Sequence, residues 1–163
     1  MTANLRAPLL SDYTIICTWI DDARACARWA GPLLRFPFTP EELAMQIVVP
    51  QGASHCLGDG SADPLAFGQY WLRVPGCAHL GRIIVGPSAR GQGFGKVLCG
   101  KLIEDAIERL GVDRFSLRVY RDNRPAMQLY ASLGFAAIEG ESSADVLFME
   151  VAAATAASLI AAN

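Results

Sequence analysis

Residues Arg90-Gly91-Gln92-Gly93-Phe94-Gly95-Lys96 set glycine at alternate positions between two basic side chains. Glycine costs ~1 kcal/mol relative to alanine in a helix interior, yet an apolar helical stripe begins inside this run. Bare backbone at a helix start suits an anion: the first-turn N–H groups lack partners and carry partial positive charge, and phosphate answers both. Without Cβ atoms an anion can approach the amides of residues 91 to 96, while Arg90 and Lys96 add charge. The chemistry expected is the binding of a phosphate or pyrophosphate, although a tight strand-to-helix turn alone would also use these glycines. Two phosphate loops fail on spacing. A P-loop needs GxxxxGK followed by Ser or Thr, but Gly91 to Gly95-Lys96 is one residue short and Val97 follows. A dinucleotide turn needs GxGxxG and an acid ending the next strand, whereas the third glycine is misplaced and Asp113 starts that strand.

The elements that must position this run are legible around it. Leu65 to Val74 reads as a strand, Pro75-Gly76 as a hairpin turn, and Ala78 to Val85 as its antiparallel partner. Alternation puts His79, Gly81, Ile83 and Val85 on one side of that second strand. After the glycines, Phe94, Leu98, Leu102, Ala106 and Leu110 recur every four residues, with Ile103 and Ile107 widening the stripe. This predicts an amphipathic helix packed on a sheet and ended by Gly111. A strand over Val112 to Tyr120 follows, with Phe115, Leu117 and Val119 on one face, then a helix over about Asn123 to Leu133 closed by Gly134, and a strand opening at Phe135. Upstream, Asp12 to Ile20 and Asp21 to Ala30 read as short helices broken by Gly31-Pro32. Thr39-Pro40-Glu41-Glu42 reads as a capped helix start. The order of elements implies an α/β layer.

Composition narrows the function classes. At 163 residues, 52% hydrophobic and 18% charged, the chain predicts one domain with a proper core. A net charge of -2 gives no electrostatic reason to expect nucleic acid. Five cysteines without a CxxC pair and two histidines make a metal site unexpected. The N-terminal MTANLRAPLLSDY lacks the pattern of a signal peptide, so a cytoplasmic setting is expected. The tail VAAATAASLIAAN is too short to span a bilayer and predicts a docked or frayed helix over about 151–162, with no membrane partner. It could pack on a second copy, making a homodimer possible.

Asn123-Arg124-Pro125-Ala126, then Leu129-Tyr130, then Gly134-Phe135, together with Val85-Gly86-Pro87 and Arg90 to Gly95, resemble the GNAT superfamily of N-acetyltransferases. The resemblance covers about residues 65 to 150. It implies a mixed, mostly antiparallel sheet whose fourth and fifth strands splay apart, flanked by helices, in one domain over 1–163 with acceptor-side helices at about 10–50. It also implies acetyl-CoA as cosubstrate, without a metal. The backbone of Ile83, Ile84 and Val85 would pair with the pantetheine arm, and Arg90, Gly91, Gln92, Gly93, Phe94, Gly95 and Lys96 would hold the pyrophosphate. Asn123 and Tyr130 are seven residues apart, about two helical turns, and share one face. The resemblance turns that face to the cleft, where Tyr130 would protonate the departing thiolate; alone, Tyr130 reads as a core aromatic. Where many members carry a strand glutamate this chain has His79, which is either the base that takes the acceptor's proton, directly or through water, or a solvated hairpin residue. His55 reads as structural or solvent-exposed.

The acceptor site implied by the resemblance lies among the first helices and the third strand. Trp29, Phe36 and Phe38 would line it with Trp71 or Arg73 opposite, aromatic walls that suit a cationic amine. The acceptor stays open between a small amine and a protein or peptide N-terminus. The alternative class is a non-catalytic acetyl-CoA-binding sensor or interaction module.

Overall fold

The computed structural model describes residues 2–163. Its elements run β1 (Asn4–Arg6), α1 (Leu10–Thr18), α2 (Ala23–Ala30), α3 (Pro40–Gln46), β2 (Gly52–Gly58), β3 (Ala66–Val74) and β4 (Cys77–Val85). They continue as α4 (Phe94–Leu110), β5 (Arg114–Tyr120), α5 (Arg124–Ser132), β6 (Ala136–Ala137), β7 (Val146–Ala152) and α6 (Ala153–Ala161). The strands form one seven-stranded sheet in the order β1-β2-β3-β4-β5-β7-β6. All pairings are antiparallel except β4 with β5, which are parallel and joined by the α4 crossover. This is the mixed, mostly antiparallel architecture expected.

Local chemistry sets the helix boundaries. Asp22 caps α2 by accepting from the Ala25 amide at 2.7 Å. Thr39 and Glu42 cap α3 reciprocally, with Pro40 at its first position. Gly111 ends α4 in the left-handed region at φ 61°. α1 begins earlier than Asp12 suggests, because the Asp12 carboxylate folds back to accept from the Leu9 amide at 2.7 Å and pairs with Arg6 at 2.6 Å.

The sheet separates two cores. On one side Leu98, Leu102, Ile103 and Ala106 of α4 are fully buried against Ala66, Tyr70, Phe115 and Leu117. Each buried leucine or isoleucine there contributes about 1.5–3 kcal/mol relative to exposure. α6 docks on this side, with Ala153 and Ala156 buried and Ile160 lying against Gly100. On the other side Ile16, Cys26, Leu43 and Ile47 of α1–α3 cover Phe67. β1 and β7 are not among the expected elements, and β7 inserts between β5 and β6. No helix among the described residues is long and apolar enough to cross a membrane.

Candidate active site

β4 and β5 pair through Cys77–Arg114, Ala78–Phe115 and His79–Ser116, and then part. Beyond that point β4 stays bonded to β3 and β5 to β7, so two inner edges face each other unpaired. A cleft of about 390 Å³ opens between them, bounded by His79 and Gly81 of β4, Tyr120 of β5, Asn123 and Tyr130 of α5, and Trp29 near the end of α2. Free strand edges offer N–H and C=O groups to an extended, amide-bearing ligand as an added strand would use them. Ile83, Ile84 and Val85 lie on that edge. The Val85 carbonyl already accepts from Arg90 Nε at 3.1 Å.

The expected alternation along β4 does not hold. Gln69 faces Gly81 but Phe67 faces Ile84, so Arg82 and Ile83 share one opposing residue in a bulge, with Arg82 at φ 50°. The extra residue resets the pleat: Ala78, Leu80, Ile83 and Val85 all pack with the α4 core, while Ile84 packs with α1–α3. His79 and Gly81 therefore face the α2 side, opposite to Ile83 and Val85. At Gly81 a Cβ would lie 2.3 Å from the Trp71 ring, so glycine lets that indole lie flat on the strand.

Past Val85 a short turn over Pro87–Ala89 leads into the glycine run. Gly91 and Gly93 have φ of 75° and 85°, and a Cβ on either would meet nothing within 4 Å. Left-handed backbone, not crowding, selects glycine here. α4 starts at Phe94 with Gly93 as its N-cap and no capping side chain, which leaves first-turn amides open to an anion. Gly95 has a different task, since its Cβ would come within 2.9 Å of Leu129, so α4 and α5 pack closely there. Phe94 packs on the α4-side core, and Gln92 donates to the Ser88 carbonyl at 3.0 Å. Lys96 lines a separate groove of about 350 Å³ with Gly93, Gly100 and Ile160. Of the two flanking cations, Arg90 is thus tied to the strand end and Lys96 faces α6.

Asn123 is the N-cap of α5, its side-chain oxygen accepting from the Ala126 amide at 3.3 Å. Two turns later Tyr130 lines the same cleft with its ring edge-on to Phe135, centroids 6.0 Å apart. Burial, with the Cys99 thiol adding to it, raises the Tyr130 pKa far above the usual phenol range, so the hydroxyl keeps its proton throughout the physiological range.

His79 is 7% exposed and not a solvated hairpin residue. Its Nδ1 lies 2.8 Å from the Ser116 hydroxyl, and its ring stands between Trp71 (centroid 5.2 Å) and Phe148 (6.5 Å). Burial first, then the charges of Arg118 and Arg73, pushes its pKa down to about 4. The imidazole is neutral at pH 7 and a weaker base than the ~6.5 of a free side chain. His55 is buried on the α4 side, its Nε2 3.0 Å from Asp105, which also accepts from Tyr70 and Arg109.

Trp29 and Trp71 line the cleft. Phe36 and Phe38 do not: they stack edge-on with each other, centroids 5.6 Å apart, and pack on the α1–α3 core. Arg73 lies outside the cleft wall, over the Phe148 ring at 4.7 Å. The residues that sequence reasoning missed are arginines. Arg28, Arg82 and Arg118 line the cleft, and they come from α2, β4 and β5, so no local pattern marks them. Each covers an aromatic face: Arg28 lies over Tyr120 at 4.2 Å, Arg118 over Phe148 at 5.1 Å, and Arg82 at 5.4 Å over Trp71, one of the rings expected to face an amine. No group of three His, Cys, Asp or Glu among the described residues could hold a metal ion.

Similar proteins agree with this architecture. An N-acetyltransferase 9-like protein of Nematostella vectensis is 26% identical over 141 residues, 84% of this chain and 62% of its own length. A mycothiol acetyltransferase of Salinispora tropica is 36% identical over 84 residues, 47% of this chain and 27% of its own. The matches thus span less than two thirds of either relative. The spermidine N-acetyltransferase of Vibrio cholerae, solved with CoA and spermine, superposes with a TM-score of 0.77 at 17% identity, over 94% of this chain and 97% of that one. The ribosomal-protein-S18-alanine N-acetyltransferase of Escherichia coli gives 0.66 at 22% identity, over 93% of this chain and 94% of that one. These two likenesses speak for the fold. The model of the acetyltransferase (GNAT) family matches residues 21–135, a span that holds the glycine run, the parting strands and α5 in order, and the chain belongs to that family.

Proposed function

We propose that this chain is an N-acetyltransferase that moves an acetyl group from acetyl-CoA to a primary amine by direct transfer. One juxtaposition carries this reading: an unpaired β4 edge, an uncapped glycine-built start of α4 just beyond it, and a protonated Tyr130 on the same cleft. Acetyl-CoA supplies the acetyl group as an activated thioester. The amides of Gly91 to Gly95 hold the pyrophosphate, and the Ile83–Val85 edge pairs with the pantetheine amides. Asn123 fixes the start of α5 and thereby the angle at which Tyr130 meets the cleft.

In the transfer, the acceptor ammonium first loses one proton to solvent. The C–N bond then forms as the C–S bond breaks, and Tyr130 gives its proton to the sulfur. The second amine proton, freed as the C–N bond forms, passes through water to the Tyr130 oxygen in the same step, since burial disfavours a phenolate left behind. His79, neutral at pH 7, relays amine protons to water and does not store them, because an imidazole held near pKa 4 binds a proton weakly.

One observation favours a second reading, a non-catalytic acetyl-CoA-binding module: among the described residues no Asp or Glu side chain lines the cleft, and its imidazole is a weak base. Assaying a panel of amines and peptides for free thiol release, beside acetyl-CoA binding by thermal shift, separates the two. Binding with thiol release on at least one amine is the expected result. Binding with none establishes the module instead, and no binding at millimolar acetyl-CoA overturns both.

A further inference from the structure

Charge in the cleft is one-sided. Arg28, Arg82 and Arg118 line it, and among the described residues no Asp or Glu does. Arg28 is neutralised by Asp122, Nη2 to Oδ1 2.6 Å. Arg82 and Arg118 have no carboxylate within 4 Å among the described residues, and neither does Arg73 behind Phe148. Of the acids upstream, Asp22 and Glu42 cap their helices, Asp12 pairs with Arg6, and Asp21 and Glu41 do not line the cleft. Glu150 shares the sheet face but stands across Ser116 on β7, away from the cleft, and makes no ion pair.

Arg82 is held in place from several directions. The bulge at φ 50° turns it onto the α2 side of the sheet; such backbone costs about 1–3 kcal/mol and marks sites where strain serves a purpose. Its Nη1 donates to Gln69 Oε1 at 2.8 Å. The fully buried Gln69 cannot flip, because its Nε2 donates to the Ile47 carbonyl at 2.6 Å and to Ser54 Oγ at 2.8 Å. The guanidinium lies over Trp71, itself seated on Gly81, and its Nε is buried with no partner. Burial weakens its hold on its proton, with no acid opposing that effect. A partly buried cation without a counter-charge is destabilising, and an anion delivered by a ligand relieves it.

From this charge pattern, and resting on the proposed acetyl transfer, we infer that the acceptor is a small amine that carries its own carboxylate, which Arg82 and Arg118 bind from the two parting strands. Amino acids and related amino-carboxylates are the substrate class, and polyamines are rejected by uncompensated like charge. The same arginines do not serve the pyrophosphate: α4 and its open amides lie beyond Val85 on the opposite side of the sheet from Gln69, Trp71 and Arg82.

The test titrates the protein, first without acetyl-CoA, with free amino acids, their methyl esters, phosphoethanolamine and spermidine, following thermal shift, and then assays each for thiol release with acetyl-CoA. At least one free amino acid is expected to bind and be acetylated, with its methyl ester at least tenfold weaker in both. Arg82→Gln should raise KM for that amino acid about tenfold to a hundredfold, the worth of a charged hydrogen bond, with KM for acetyl-CoA unchanged. Arg118→Gln, on an exposed strand position, should act in the same direction and guards against misfolding of the bulge variant. Esters or spermidine used as well as free acids, or unchanged KM in both variants, overturn the inference. Acetylation of phosphoethanolamine with no amino acid used overturns the carboxylate assignment. Wild type that binds acetyl-CoA but releases thiol with no amine, or that does not bind acetyl-CoA, would instead strike the transferase reading, a result distinct from any of these.

Discussion

His79 and Ser116 are the last partners across β4 and β5, and their side chains meet there, Nδ1 to Oγ 2.8 Å. The cleft begins where this contact ends, so an uncharged imidazole sits at its inner end. That neutrality has a measurable cost. A histidine at about 4 in the folded chain and ~6.5 unfolded binds fewer protons folded than unfolded between those values.

Its contribution to stability is therefore complete above pH 6.5 and is lost as pH falls from 6.5 to about 4. The full loss is about 3 kcal/mol. His79→Gln keeps a hydrogen-bonding partner for Ser116 but cannot titrate. Denaturant unfolding of both proteins from pH 7 to 4 should show wild type losing more stability than the variant, by up to about that amount. Parallel curves would mean that His79 titrates normally. The same burial places no limb due to His79 near pH 6.5 in kcat/KM of the free enzyme.

Gly93 joins a left-handed backbone to an uncapped helix start, so it tests the anion site directly. A ligand at a hundred times its Kd stabilises the fold by ~2.7 kcal/mol, which for a chain of this size raises Tm by roughly 5–10 °C. Acetyl-CoA should produce such a shift in wild type, with NAD and ATP producing much less. Gly93→Asp adds a side chain and a negative charge at the site and should abolish the shift. Its own Tm should also fall, by a few degrees, because a Cβ at φ 85° strains the backbone by about 1–2 kcal/mol even though it meets open space. An unchanged acetyl-CoA shift in Gly93→Asp would remove the pyrophosphate from α4.

Much of this layout is legible in the residues, for physical reasons. β3, β4, α4 and α5 are delimited by turn and cap chemistry at Pro75-Gly76, Gly111, Asn123 and Gly134, and by an apolar stripe that matches the buried side of α4. β7 is not, because Val146–Ala152 is apolar at nearly every position and runs straight into an alanine-rich helix, so neither period nor punctuation separates them. The bulge is hidden for a related reason: its left-handed residue is Arg82 and not a glycine. Arg28, Arg82 and Arg118 converge only through tertiary structure. Phe36 and Phe38 satisfy each other in the core, which composition cannot distinguish from lining a pocket.

In the proposed transfer, Tyr130 is the group that protonates the departing thiolate. Its hydroxyl is held protonated by burial, and its ring packs on Phe135. Tyr130→Phe keeps that ring, so folding, acetyl-CoA affinity and KM should barely change. The variant deletes only a hydroxyl whose proposed use begins as the C–S bond breaks, and an interaction realised in the transition state alone appears in kcat. General acid catalysis contributes ~100- to 10,000-fold. A thiolate with a pKa of ~8.5 leaves fairly well unaided, which places the expected loss near a hundredfold. The loss should shrink with acyl donors whose thiol is more acidic, since these need less protonation on departure. Pre-steady-state measurement of the transfer step, at a pH where chemistry limits turnover, reads the effect cleanly. A Phe variant that transfers at the wild-type rate under those conditions would remove Tyr130 from the mechanism and leave it as the aromatic wall of the cleft.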